Sequence, residues 1–280
     1  MKFCVNFSKE SKILDKVDEI NIQYNRIESA EALSQFCEEH KNQRINLCID
    51  NLEEGLYNNW IKDALDYQEQ HQDYKIYIRL EGKNEELSVM LMKYPKAKFY
   101  FNYYVNTWDM FIGYVNYGVS DIFIIEGLGF ELDKIAAIAH SHNIQVRAFP
   151  NVAQSSWKEL DDLRKFWIRP DDIDAYEQYV DVCEFFGEEK EIKPNILYEI
   201  YSKDKTWFGN LKEIIIGFKN DIDSRYIIPR FAKKRIRCGR ECLKGGNCKI
   251  CDNIQELSGN LEKAGLIVTI NNNKEEEIDG

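Results

Sequence analysis

The sequence predicts an α/β fold, a TIM-type (β/α)8 barrel with a cysteine-rich C-terminal appendage, and three observations predict it. Short β-type runs recur with helical stretches between most of them. Eight such runs follow one another before residue 187, a number that favours closure over an open doubly wound sheet. No Gly-rich phosphate loop opens any helix, which speaks against a dinucleotide-binding sheet.

The elements follow in order. Lys2 to Phe7 and Glu19 to Tyr24 are the first two strands. Ser29-Ala-Glu-Ala supplies an N-cap and an early acid for a helix to about His40. Arg44 to Asp50 is a strand and Leu56 to His71 a helix; Lys75 to Leu80 is a strand and Asn84 to Tyr94 a helix, ended by Pro95. Ala97 to Tyr103 is a strand, and Thr107 to Tyr117 a helix closed by Gly118. Asp121 to Glu126 (strand), Phe130 to His142 (helix) and Asn143 to Pro150 (strand) continue the alternation, and the eighth strand, Val180 to Phe186, comes after a helical stretch from Ser156 to Trp167. Such repeated βα units imply a parallel sheet.

The pattern changes at residue 188. A helix (Glu191 to Tyr201), an aromatic turn (Trp207-Phe-Gly), an apolar run (Leu211 to Phe218), a cysteine loop and a last helix (Asp252 to about Ala264) follow. The expected organisation is a barrel over 1–187, a helical and metal-binding segment over 188–270, and a disordered acidic tail over 271–280. With 44% hydrophobic residues the chain has the apolar content for a substantial core. No apolar run approaches the roughly 18 residues that span a bilayer. Met1 to Phe7 leads directly into Ser8, Lys9 and Glu10, unlike a signal peptide, so a cytoplasmic protein without a membrane partner is expected.

Cys238, Cys242, Cys248 and Cys251 lie within fourteen residues, with Gly239, Gly245 and Gly246 among them to let the loop fold back. Four thiols at that spacing reach one ion or cluster. Cys248-x-x-Cys251 is the hook typical of zinc; Cys238-x-x-x-Cys242 is looser, and iron-sulfur clusters accept such wider spacing. Both zinc and an iron-sulfur cluster therefore stand as cofactors at this point. The remaining Cys4, Cys37, Cys48 and Cys183 sit singly among apolar neighbours and read as buried, inert thiols.

The formal charge is −11, yet residues 225–251 hold nine basic side chains against Glu241 alone, a local +8 that leaves −19 elsewhere. Those cations either offset the negative charge of four thiolates or meet phosphate on a nucleic acid such as RNA.

Barrels of this kind carry their chemistry at the carboxyl ends of the strands. The polar residues closing the apolar runs are Asn6, Tyr24, Asp50, Arg79, Asn102, Glu126, Arg147 with Asn151, and Glu184. Asp50, Glu126 and Glu184 are candidate catalytic acids or bases, while Arg79, Arg147, Asn102 and Asn151 are candidate ligands for a small anionic substrate. The competing expectation is that these groups pair with one another as arginine–carboxylate bridges. His140 and His142 end a helix, where a cation is favourable, and read as surface residues. Trp157, Trp167, Trp207 and Phe208 read as packing aromatics.

Tyr117-Gly-Val-Ser-Asp-Ile-Phe-Ile-Ile-Glu-Gly-Leu-Gly-Phe-Glu-Leu, followed by Ile138-Ala-His-Ser-His-Asn-Ile-Gln-Val-Arg-Ala-Phe-Pro-Asn, resembles the collagenase-like peptidase family (peptidase U32 type), over roughly Asn116 to Gln154. The resemblance implies a TIM-type barrel. It implies a [4Fe-4S] cluster on Cys238, Cys242, Cys248 and Cys251, and a role in modification, such as hydroxylation, of RNA or a small molecule. Here the four cysteines are concentrated after the last strand, and Asn143 stands where the family has glycine. The alternative is a non-catalytic, zinc-ordered module that docks nucleic acid or a protein partner through its basic loop. Peptide hydrolysis is the minor alternative, since no nucleophile elbow or HExxH helix is present.

Overall fold

In the computed structural model the described residues are 1–7, 13–23, 26–49, 75–80, 92, 98–105, 107–124, 131–153, 162–186, 193–202, 207–227, 231–238 and 249–263. They contain eight strands: β1 (Lys2–Asn6), β2 (Glu19–Gln23), β3 (Arg44–Ile49), β4 (Ile76–Leu80), β5 (Phe99–Val105), β6 (Asp121–Ile124), β7 (Gln145–Ala148) and β8 (Val182–Glu184). Each pairs in parallel with the next, and β8 returns to pair with β1 through Lys2–Val182, Phe3–Cys183 and Cys4–Glu184, so the sheet curls into a ring. This is the α/β class with the parallel sheet that the alternating pattern predicts. The β1–β2 link departs from a strand–helix repeat, since its described part holds a 3-10 turn (Leu14–Lys16).

The described helices are α1 (Ala30–Glu39), α2 (Trp108–Tyr117), α3 (Leu132–Ser141), α4 (Ile173–Tyr176), α5 (Pro194–Ser202), α6 (Phe231–Ile236) and α7 (Ile250–Lys263). Their ends follow local chemistry. The Ser29 hydroxyl accepts from the Ala32 N–H and the Thr107 hydroxyl from the Met110 N–H, each satisfying a donor that the first turn leaves open. Gly118 closes α2 in the left-handed region at φ 69°. On α3, Leu132, Ile135, Ala136 and Ala139 are buried, the i, i+3, i+4, i+7 stripe of a helix laid on a sheet.

One expectation changes. The helix drawn to Trp167 stops short of it: its described part is a 3-10 turn (Asp162–Arg164), after which Ile168 N–H donates to Pro150 O and the Trp167 indole N–H to Asp162 O. Tertiary hydrogen bonds displace helical ones there. The C-terminal residues also share a core with the barrel, because Leu197, Tyr201, Leu211, Phe231 and Ile254 belong to the apolar cluster built on Ile20, Ile22, Ile45 and Leu47. The helices expected over Leu56–His71 and Asn84–Tyr94, the boundary at 187/188 and the tail 271–280 lie outside the described residues. No described helix is long and apolar enough to cross a membrane.

Gly113 within α2 and Gly118 just past its end test this reading with opposite signs. An added Cβ meets nothing within 4 Å at either Gly113 or Gly118, but only Gly118 has positive φ. Gly113→Ala is expected to stabilise the protein by about 0.5–1 kcal/mol and Gly118→Ala to destabilise it by about 1–2 kcal/mol, read from urea unfolding midpoints.

Candidate functional site

Strand alternation builds the interior. On β2, Ile20 and Ile22 join the apolar layer between sheet and helices, which leaves Glu19 and Asn21 facing the lumen. On β3, Ile45 and Leu47 do the same and leave Arg44, Asn46 and Cys48 inside. Contacts between strands far apart in the ring confirm the direction. Arg44 of β3 donates to both carboxylate oxygens of Asp121 on β6, at 2.8 Å each. Arg79 of β4 meets Glu184 of β8 at 2.6 Å. Side chains make such contacts only by crossing the lumen.

The result is a cluster of three guanidiniums and three carboxylates. Arg147, fully buried, donates to Asp121 at 2.9 Å and to Glu19, and lies 3.6 Å from Glu184. Glu19 and Glu184 are each 1% exposed and Asp121 is 0% exposed. Neutral groups complete the arrangement: Asn46 donates to Glu19 and Asn21, Asn21 to Asn6, the Cys4 thiol to Asn21, and Arg44 to Asn46 and Gln145. Charges buried this deeply persist only when paired and hydrogen-bonded. Burial pushes the Asp121 carboxyl up, but Arg147 and Arg44, with hydrogen bonds from Arg44 and Ser120, more than reverse it and hold it below the usual carboxylate range. Burial, reinforced by the Glu184 charge, pushes the Cys4 thiol well up and keeps it neutral.

Of the residues predicted from strand ends, the structure brings Arg79, Arg147 and Glu184 together in this cluster, as the arginine–carboxylate alternative expects. Asn151 is fully buried, and its side-chain amide both donates to Phe186 O and accepts from Phe186 N–H, tying the segments that leave β7 and β8. Asp50 and Glu126 lie outside the described residues; Asn102 falls within β5, but its side chain is outside them too. Glu19, Arg44 and Asp121 were not singled out, because they stand at strand starts. The signal was present in Glu19-Ile-Asn-Ile-Gln and Arg44-Ile-Asn-Leu-Cys, a period-2 alternation with the polar set facing in.

An aromatic ladder stands at the carboxyl ends of the strands. Phe123 stacks on Phe149 at 4.7 Å, Phe149 meets the half-exposed Phe186 edge-on, and the Arg79 and Arg147 guanidiniums lie 5.4 and 5.8 Å from the Phe123 ring centre. Cys4, Cys37, Cys48 and Cys183 are buried, as expected, and burial pushes Cys37 up to about 12. Trp167 is a fully buried packing residue, while Phe208 is 61% exposed and so departs from that reading. His140 is at the surface, 3.0 Å from Asp181.

Cys238 and Cys251 are half-buried; Cys242 and Cys248 lie outside the described residues, so the proposed ligand set is described at its two ends. Among the described residues no group of three or more His, Cys, Asp or Glu side chains forms a metal cage. Both ends are moored on one segment. Three residues before Cys238, buried Arg235 donates to Trp167 O at 2.8 Å and to Lys165 O, and lies over the Trp167 ring. The Cys251 sulfur faces Leu163 O at 3.8 Å, and Asp252 pairs with Arg164.

No family model and no curated protein matches the chain. Among solved structures, RipC from Yersinia pestis is similar over 72% of this chain and 93% of its own, at 9% identity and a TM-score of 0.38. The U32 peptidase Mk0906 is similar over 67% of this chain and 93% of its own, at 9% identity and a TM-score of 0.40. At these scores neither likeness bears on the chemistry of the site.

Removing the central cation should expose the balance directly. Arg147→Met leaves three buried carboxylates with two guanidiniums, and a loss of about 3–5 kcal/mol in urea unfolding is expected. The depressed carboxyl of Asp121 contributes stability that is fully present above its unfolded value, about 3.9, and is lost as pH falls through the lower folded value. In Arg147→Met that depression shrinks, so acid unfolding should begin at a higher pH than in the parent. An unchanged acid limb would show that Arg147 does not hold Asp121 ionised.

Proposed function

We propose that this chain is a TIM-type barrel enzyme, or enzyme component, of the collagenase-like peptidase type, whose C-terminal loop carries an iron-sulfur cluster on Cys238, Cys242, Cys248 and Cys251. The observation that carries the reading is the common mooring of Cys238 and Cys251: Arg235, Arg164 and Asp252 tie both ends of the loop to residues 163–167. That geometry supports convergence of the intervening thiols. The basic side chains around the loop suit a centre of net negative charge. Bound there, a cluster supplies one-electron chemistry.

The segment that moors the loop runs beside Pro150, just past the carboxyl end of β7, where barrel enzymes work. The substrate class that fits is a small anion or an anionic stretch of RNA. Arg79 is the cation to receive it, since its partner Glu184 lies on the opposite strand and an incoming anion can replace that carboxylate. Glu184 so displaced sits beside Arg147 and becomes the acid or base next to the bound group.

Anaerobic purification of the full chain followed by iron, sulfide and zinc assays tests the metal. Iron and sulfide near four per chain, with a brown colour that Cys248→Ala abolishes, are the expected result. Zinc near one per chain would move the reading to a zinc-ordered docking module, whose RNA binding should then weaken at raised salt and on replacing Lys233 and Lys234, both exposed, by glutamine. Metal-free protein with four reactive loop thiols would overturn both.

A further inference from the structure

The end of the barrel at which the strands begin, away from the Arg79–Glu184 pair, carries a cup of about 420 Å³. Strand alternation decides which side chains face it. Val5 on β1, Ile76 and Ile78 on β4, and Val146 and Ala148 on β7 belong to the apolar layers outside the sheet. Lys2, Lys75 with Tyr77, and Gln145 therefore stand on the lumen side, where they line the cup. Its floor is Arg44, whose guanidinium lies 3.3 Å from the Tyr77 ring centre and is held by Asp121, Asn46 and Gln145. Buried Glu19 stands beside it.

Around this floor an acceptor and several donors are left open. Glu19 Oε2 takes Asn46 and Arg147, but the buried Oε1 accepts no hydrogen bond among the described residues, and Arg44 Nη1 stands 3.8 Å from it. A buried carboxylate oxygen in that state costs free energy until a donor reaches it. The oxygen of the Gln145 amide accepts from the same Arg44 Nη1 at 2.8 Å, so its NH2 group faces away from the guanidinium and has no partner among the described residues. At the rim, the exposed Lys2 and Lys75 ammonium groups have neither a hydrogen bond nor an ion pair among the described residues. Asp18, which accepts the Phe3 N–H, also lines the cup. Arg44 and Glu19 are answered inside the lumen by Asp121 and Arg147, so two lysines against Asp18 leave the cup with one positive charge in excess.

Within 4 Å of Arg44 Nη1 there are thus an oxygen that lacks a donor and an amide that offers one. An ammonium and a carboxylate borne on one carbon match that pair, and a second carboxylate matches the two lysines. We propose that this cup binds a free acidic α-amino acid of the aspartate or glutamate class, its ammonium on Glu19 Oε1, its α-carboxylate on the Gln145 amide and its side-chain carboxylate between Lys2 and Lys75. The net negative charge of such a ligand answers the positive excess of the cup. The proposal is independent of the metal loop and of the chemistry at the other end of the barrel.

Isothermal titration of the full chain with L-glutamate and with L-aspartate, in about 150 mM salt to screen diffuse attraction, tests it. Saturable one-to-one binding of at least one of them is expected. Glutarate, which lacks the ammonium, and norvaline, which lacks the second carboxylate, should each bind about tenfold more weakly or worse, since each forfeits a charge-assisted hydrogen bond. The double variant Lys2→Met/Lys75→Met changes exposed side chains alone, and should weaken binding by about tenfold while its circular dichroism stays unchanged. No saturable heat with either amino acid, equal affinity in the lysine variant, or glutarate binding as tightly as glutamate would each overturn the proposal, the last by showing that the lysines attract any dianion and that Glu19 takes no part.

Discussion

Arg147 on β7 reaches carboxylates carried by β2, β6 and β8, and Arg44 and Arg79 add the links from β3 and β4. The Arg147–Glu19, Arg44–Asp121 and Arg79–Glu184 pairs join strands three or four apart in the ring, so these contacts form only when the sheet has curled, and the curled sheet keeps six charges from water only when these contacts form. Neither half is stable alone: an isolated buried ion costs several kcal/mol or more, and a lumen lined by such side chains cannot close around them unpaired. The matching of three cations with three anions is therefore a condition of the fold. It also means that the interior is a polar, low-dielectric space whose charges respond to one another, the setting in which an exchange of carboxylate partners has chemical effect.

A second layer of order sits outside the strands. Asp162 accepts from Lys165 and from the Lys219 and Asn220 N–H groups; Lys165 also reaches Gly217 O; Trp167 packs on Phe218 and Phe231 under the guanidinium of Arg235. Residues 162–168 thus anchor three later pieces of chain: 217–220, α6 and the start of α7. The C-terminal region is held to the barrel by specific polar contacts on one short segment as well as by apolar burial.

Much of this was legible beforehand. All eight strands fall within the predicted runs to within two residues or so at their ends, since β-branched and aromatic runs between turn residues identify themselves. The caps at Ser29, Thr107 and Gly118 were readable because they are local hydrogen-bond chemistry. The short helices 173–176 and 231–236 were missed: their sequences are no more periodic than their surroundings, and their stability comes from the groups they pack against. The site was half legible. Arg79, Arg147 and Glu184 were chosen as strand-end residues, whereas their counter-charges Glu19, Arg44 and Asp121 were passed over at strand starts, where only the shear of a ring brings them level with the others.

What the amino-acid order determines by itself is local: where strands and capped helices lie, that the sheet is parallel, and that four thiols and nine cations crowd into one late stretch. Which charge meets which was decided in three dimensions. Pairings such as Arg44 with Asp121 or Arg79 with Glu184 span 77 and 105 residues, and no spacing rule connects side chains that far apart. The tertiary structure chooses among many equivalent arginine–carboxylate matches because ring closure permits only the set in which every buried charge is answered.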